Sequence, residues 1–371
     1  MSEEAHALHS RTAVEVAPPA VDYLPPMPQR SDHRIALIGA GGIASAHLDA
    51  YRKAGFNVSL IASRTLANAV QRRDAFFPDA EVSDDIAATL ARPDIDVVDL
   101  TPHPDVRAPL IEAALEAGKH VLSQKPFVLD LDTGARLADL AERHGRILAV
   151  NQNGRWAPHL SWMRGAVRQG LIGAVQSIHI AIHWDHSWIA GTSFDAIDDL
   201  LLYDFAIHWL DFLATLIGPS ATAIRATRGR AAEQQPTPPL LGQVMVEFAG
   251  GQAALLFDGA TRFGASDRTV ITGTLGTLES VGPDLGRQQV TFTSAEGFAR
   301  PKLEGTWFND GFAGAMGALL EAIETGRPPL NNARDNLASL ALAFAAIAAS
   351  HRGTAVVPGS VRSLAEAVRR G

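Results

Sequence analysis

The chain has 371 residues, of which 47% are hydrophobic and 19% charged, with a formal net charge of −8; that length supports two hydrophobic cores, and no apolar run is long enough to cross a bilayer. The negative charge is spread without long like-charge blocks, which argues against nucleic acid and membrane lipid as partners and leaves small molecules. With no cysteine, disulfides, thiolate metal sites and cysteine catalysis are excluded, and the expected compartment is the reducing, cytoplasmic one.

Residues 1–31 include five prolines, in Ala17-Pro18-Pro19 and Leu24-Pro25-Pro26-Met27-Pro28, but neither the apolar core nor the twin arginine of an export signal. We expect an extended arm of polyproline character, anchored in part by Val21, Tyr23, Leu24 and Met27.

From 32 to 150, short apolar runs at 35–38, 58–62, 97–100, 120–122 and 147–150 alternate with helical spacings. Ser83 is the predicted N-cap of one helix, and Gly145 closes another. Such alternation predicts a doubly wound parallel sheet in an α/β domain.

The first run ends in Gly39-Ala40-Gly41-Gly42-Ile43-Ala44, after which Ala44, Leu48 and Tyr51 recur at helical spacing. Gly39 suits a tight turn, Gly41 lets the backbone approach a pyrophosphate, and Ala44 allows close packing of helix on strand. Together with Gly42 and Ile43 they offer phosphates the free N–H groups of a helix N-terminus. A dinucleotide cofactor is therefore expected. The second run ends in Ser63-Arg64, with no acidic residue before Asp74. A carboxylate there would bind the 2′-hydroxyl of NAD, whereas Ser63 and Arg64 receive a 2′-phosphate, so NADP(H) is favoured over NAD(H).

The run at 120–122 continues into Ser123-Gln124-Lys125-Pro126. Ligands of open parallel sheets sit outside the carboxyl ends of the strands, so a lysine fixed there by a proline faces the site. A solvated loop lysine is the competing reading, and the glycine turn upstream weighs against it.

Beyond 151 the pattern shifts to longer strands with hairpins, as in Val244, Val246 and Phe248 before Gly250-Gly251, and predicts a mostly antiparallel sheet in a second domain spanning 151–371. Two late helices are expected at 312–325 and 333–350. Within an apolar helical run at 198–216, Asp204 and His208 stand four apart on one face, where a carboxylate can orient an imidazole that takes a proton. Asn153, Arg155 and Trp156, just after the last strand of the first domain, and His183 and Asp185, beside Trp184, His186 and Trp188, offer amides, charges and aromatic faces suited to a hydroxylated ring. The imidazoles of His183 and His186 have no third ligand placed by spacing, so no metal site is expected.

These residues together resemble the Gfo/Idh/MocA oxidoreductases, over about 33–353. The likeness rests on the Gly39 turn, on Thr101-Pro102, on Ala117-Gly118-Lys119-His120-Val121 leading to Lys125-Pro126, on Asn153 with Arg155, and on Asp204 with His208. It implies an N-terminal Rossmann domain plus a C-terminal α/β domain with a large, open, mostly antiparallel sheet. It also implies a nicotinamide cofactor contacted by Thr101, Pro102, His103, Gln124 and Lys125, a sugar or polyol substrate, and a homodimer or homotetramer formed through the open sheet. Lys125 resembles the family lysine near the nicotinamide, and Asp204 with His208 its acid–base pair. Two departures stand out: Gln124 replaces the Glu usual before Lys-Pro, and Arg107 stands where many relatives carry His. The expected reaction is hydride transfer between NAD(P) and a secondary hydroxyl or ketone of a pyranose or cyclitol. Cofactor-assisted elimination or epimerisation without net redox, and a non-enzymatic nucleotide sensor, stand as alternatives.

Overall fold

The computed structural model describes residues 14–369. Six strands, β1 (Arg34–Ile38), β2 (Asn57–Ala62), β3 (Glu81–Ser83), β4 (Val97–Leu100), β5 (His120–Gln124) and β6 (Leu148–Asn151), form one sheet in the order β3-β2-β1-β4-β5-β6. Every pairing is parallel. Covered on both faces, the central strands read as continuous apolar runs, and every residue of β4 and β6 is buried. The chain winds outward from β1 to β3 and restarts at β4 beside β1, so a crevice opens at the carboxyl ends of β1 and β4.

Strand β3 was not anticipated. Its three residues lie at the sheet edge, half-exposed or exposed, and carry no apolar signature. The expected cap at Ser83 is also corrected: Ser83 ends β3, and the cap of α3 (Ile86–Ala91) is Asp85, whose carboxylate accepts the Ala88 N–H at 2.9 Å. The remaining helices of this half are α1 (Ala44–Ala54), α2 (Leu66–Phe76), α4 (Pro104–Glu116) and α5 (Leu131–Arg143), with Gly145 at φ +60° just beyond α5.

The second sheet has eight strands: β7 (Val175–His183), β8 (Ala221–Gly229), β9 (Leu241–Phe248), β10 (Gly251–Asp258), β11 (Ser266–Gly273), β12 (Gly276–Asp284), β13 (Arg287–Ser294) and β14 (Gly297–Ala299). They run in the order β14-β13-β12-β11-β7-β10-β9-β8, antiparallel except where β10 lies parallel to β7. The hairpin of β9 and β10 turns at Gly250, φ +88°. Along β9, Val244, Val246 and Phe248 are buried while Gln243, Met245 and Glu247 are exposed, so one face of the sheet carries the core and the other is open.

Helices α6 (Pro158–Arg168), α7 (Ile207–Ile217), α8 (Asp310–Thr325), α9 (Ala333–Arg352) and α10 (Leu364–Ala367) complete the chain. Although α8 follows the second sheet in sequence, its Phe312, Ala315, Met316 and Leu319 share a core with Ile35 and Leu37 of β1 and Leu48 of α1. The chain thus returns to cover the first sheet. The helix expected over 198–216 is two pieces, a π-helical turn at Leu201–Phe205 followed by α7.

The arm is laid on its own chain over the described part, 14–31. Val21 is buried and occupies the space a Cβ on Gly165 would need, 2.5 Å from Val21 Cγ1. The Tyr23 hydroxyl accepts the Glu304 N–H, and the Glu324 carboxylate accepts the amides of Gln29 and Arg30. Leu24 and Met27 remain largely exposed and anchor less than expected. Residues 1–13 lie outside the described part. Among the described residues, no helix is long and apolar enough to cross a membrane.

Candidate active site

At the crevice predicted by the strand order lies a cavity of about 630 Å³, lined by Ile38 to Ile43, Ser63, Arg64, Asn68, and Thr101 to His103. Its floor is the glycine turn. Gly39 holds φ +104°, and a Cβ there would fall 2.5 Å from Thr101 Oγ1, which itself donates to the carbonyls of Ile38 and Gly39. At Gly41 and Gly42 a Cβ would meet nothing within 4 Å, so the backbone faces open space at the N-terminus of α1, whose first turn carries no acid. This is the cradle that a pyrophosphate needs, and the residues present fit a dinucleotide. Ala44 is fully buried, as close helix–strand packing requires. Arg64 is exposed at the cavity wall and Ser63 buried beside it. Two lining residues, Ser193 and Phe194, come from the second domain. The Phe194 ring lies 6.2 Å from that of His103. Sequence offered no signal for them, because only the fold brings that loop over the first sheet.

Next to this crevice, at the carboxyl end of β5, Lys125 meets the second domain. Its Nζ donates to the Asp204 carbonyl at 2.9 Å and lies 3.2 Å from Asp204 Oδ2, with both side chains partly buried. The expected bond between Asp204 and His208 is not formed. The π turn, closed by the Ala206 N–H on the Leu201 carbonyl, widens the helix so that the four-residue spacing no longer stacks the two side chains. The Asp204 carboxylate therefore serves Lys125. His208 stands in the first turn of α7, against Trp307 at 5.2 Å between ring centroids and with Nδ1 buried and unpartnered. Gly154 makes room for that indole, since a Cβ there would sit 2.8 Å from Trp307 Cζ2. Burial, and then the Lys125 ammonium, push the His208 pKa well below its ordinary value. At neutral pH the imidazole is uncharged and able to accept a proton.

Other expected substrate contacts are placed differently. Arg155 is committed to Asp211, with Nε and Nη2 donating to the two carboxylate oxygens at 2.8 and 2.7 Å. Asp211 also accepts the Ser339 hydroxyl at 2.6 Å, so this buried pair clamps α7 and α9. Trp156 is buried against Gly314 and the arm residue Pro25, away from Lys125. Asn153 uses its Oδ1 to accept the Trp307 indole N–H at 3.1 Å, which fixes the wall behind His208. His183 faces the Asp258 carboxylate at 3.8 Å. Asp185 lines a separate cavity of about 310 Å³ with Gln234 and Arg262, and accepts the Ser187 N–H at 2.8 Å. Closer to Asp204, an aromatic cluster of Trp184, His186, Phe205 and Trp209 forms a wall, and burial lowers the His186 pKa to about 4. Arg107 is fully buried beneath the Lys125-Pro126 turn and donates to the Pro126 carbonyl. Burial brings its pKa down to about 10, opposed by Tyr203, Asp204, Asp105 and Asp99, so it stays cationic at neutral pH.

Residues 33–152 match a family model described as an oxidoreductase family with an NAD-binding Rossmann fold, and 161–279 match the GFO/IDH/MocA C-terminal domain. The inositol 2-dehydrogenase of Rhizobium meliloti (strain 1021) is 26% identical over 332 residues, 85% of this chain and 96% of its own. The D-apiose dehydrogenase of Paraburkholderia graminis is 26% identical over 358 residues, 90% of this chain and 92% of its own. A solved oxidoreductase from Agrobacterium radiobacter, in complex with NAD+, L-tartaric acid and magnesium, superposes with a TM-score of 0.80 at 20% identity, covering 89% of this chain and 99% of that one. With both halves matched, together well over half of its length, and with the parallel and open sheets in place, the chain belongs to the Gfo/Idh/MocA family of oxidoreductases.

Proposed function

We propose that this oxidoreductase oxidises a secondary hydroxyl of a sugar or cyclitol, or reduces the matching ketone, with a nicotinamide dinucleotide. The observation that carries the reading is the meeting of Lys125 and Asp204, from two different domains, beside the glycine-lined crevice and with His208 within the field of the Lys125 ammonium. When bound, the nicotinamide ring accepts or returns the hydride. Lys125 Nζ holds the carbinol oxygen of the substrate, and Asp204 keeps that ammonium in place. The neutral imidazole of His208 takes the hydroxyl proton during oxidation and gives it back during reduction. The partly exposed rings of Trp184 and Phe205 suit the apolar face of a sugar or cyclitol ring. Relatives named for inositol and apiose support this substrate class.

The same reading favours NADP(H), because Ser63 and Arg64 line the cavity at the end of β2 and no acidic residue follows them before Asp74. It extends to a homo-oligomer, for which the open sheet face around exposed Met245 is the natural surface. The test is a panel of sugars and polyols followed by reduced-nicotinamide absorbance, with Lys125→Met alongside. Turnover by the wild type, and a loss of roughly a thousandfold in the variant with cofactor affinity kept, is the expected outcome. Activity in Lys125→Met within a few-fold of wild type overturns the assignment.

A further inference from the structure

Behind the Lys125 turn runs a buried chain of polar groups that the proposed reaction does not touch. Gln124, the residue that departs from the family pattern, is its near end: its Oε1 accepts the Lys125 backbone N–H at 2.7 Å. Because that oxygen is committed, the carboxamide nitrogen must face the other way, and Gln124 Nε2 lies 3.3 Å from His47 Nε2. Asn151 Nδ2 reaches the same imidazole nitrogen at 3.1 Å and Gln124 Oε1 at 3.2 Å. His47 Nε2 is therefore met by two N–H donors and must be an acceptor. On the far side, His47 Nδ1 lies 2.7 Å from Asp99 Oδ2, which also accepts the Tyr51 hydroxyl at 2.7 Å. His47, Tyr51 and Asp99 are wholly inaccessible to solvent, and the Phe312 ring closes the remaining side at 4.8 Å. Burial, and then Asp99, raise the Tyr51 pKa well above its ordinary value, so the phenol stays a donor.

Only one tautomer satisfies these contacts: His47 with hydrogen on Nδ1, donating to Asp99 Oδ2 and accepting on Nε2 from the two amides. We propose that His47, backed by Asp99 and Tyr51, is a positioning residue for Lys125, acting through Gln124, and that Gln124 keeps the Nε2 of that imidazole an acceptor. The chain of contacts orients the Gln124 carboxamide, whose oxygen in turn fixes the backbone from which the lysine side chain leaves. A glutamate at 124 presents an acceptor to His47 Nε2. The imidazole then lies between two carboxylates, and its Nε2 has to donate rather than accept. The catalytic meaning of this positioning rests on the dehydrogenase reading above, but its structural content does not.

The experiment is heteronuclear NMR of the full chain with labelled histidine, the His47 signals being assigned by their response to Tyr51→Phe. In the wild type, His47 is expected to carry hydrogen on Nδ1 alone; in Gln124→Glu it is expected to carry hydrogen on Nε2. A wild-type imidazole carrying hydrogen on Nε2 overturns the proposal. So does an unchanged His47 in Gln124→Glu. In His47→Gln, the Lys125 amide should exchange roughly tenfold faster and kcat should fall roughly tenfold or more, with cofactor affinity unchanged. An unchanged amide exchange rate in a folded His47→Gln overturns the positioning role. If no sugar or polyol is turned over by any form, the dehydrogenase reading fails while the imidazole and amide signals still decide this one.

Discussion

Replacing Asp211 by alanine separates a structural from a substrate-binding role for Arg155. In the folded chain Asp211 is 1% exposed, accepts two hydrogen bonds from Arg155 at 2.7 and 2.8 Å, and accepts Ser339 at 2.6 Å. Burial alone would lower the Arg155 pKa, and Asp211 more than restores it. Asp211→Ala therefore leaves a buried guanidinium without its counter-charge, which costs about 3–5 kcal/mol. For cores of this size that corresponds to a fall in Tm of roughly 6–20 °C. Arg155→Met with Asp211→Leu removes both charges and fills the space, so the double variant should recover most of the loss. Thermal and urea unfolding of the two variants beside the wild type provide the assay, with KM for the best panel substrate measured on the surviving folded protein. A loss below about 1 kcal/mol in Asp211→Ala, or a double variant as unstable as the single one, refutes the clamp. A large rise in KM with unchanged stability returns Arg155 to the substrate site.

Gly39→Ala forces a side chain onto φ +104° and against Thr101 Oγ1; strain of roughly 1–3 kcal/mol should weaken NADP(H) binding about tenfold or more in a fluorescence titration, and unchanged affinity refutes the cradle. Since burial and Lys125 depress the His208 pKa and only the neutral imidazole accepts a proton, kcat/KM for oxidation should hold level down through about pH 6.5, with its acid limb below the ordinary histidine value. An acid limb at or above that pH speaks against His208 as the base. Burial raises the Asp267 carboxyl to about 7, and its Oδ2 has no partner. Between about pH 4 and 7 the folded chain keeps a proton that the unfolded chain has lost, so stability falls as pH rises through that window. Asp267→Asn should accordingly stabilise the protein at pH 8 and change little at pH 4 in urea titrations; equal effects at both refute the shift. A chain beginning at residue 32 loses Val21 from beneath Gly165 and the amide bonds to Glu324. Its Tm should drop by several degrees, in line with roughly 1.5–3 kcal/mol for one buried valine, and an unaltered Tm would mean the arm adds nothing to stability.

Much of this architecture is written in local patterns. The parallel sheet was legible because strands buried on both faces carry runs of consecutive apolar residues, as Ile35–Ile38 of β1 and Val97–Val98 of β4 do. The glycine turn was legible because only glycine tolerates φ +104° with Thr101 so close. Lys125 was legible from its place at a strand's carboxyl end. Strand β3 was not, since three half-exposed edge residues need no apolar pattern. The partnership of Asp204 and His208 was misread because a four-residue spacing assumes an α-helix, and the chain forms a π turn there. Arg155 was misassigned because its carboxylate partner lies 56 positions away on α7.

Sequence by itself determined the parallel first sheet, the mostly antiparallel second one and the glycine turn, because each follows from backbone geometry and burial within a few consecutive residues. Tertiary structure alone decided which acid serves Lys125, how His208 loses its charge, which charges are spent inside the core, and that α8 returns to the first sheet. Those outcomes depend on desolvation and on partners distant in the chain, which no local pattern encodes.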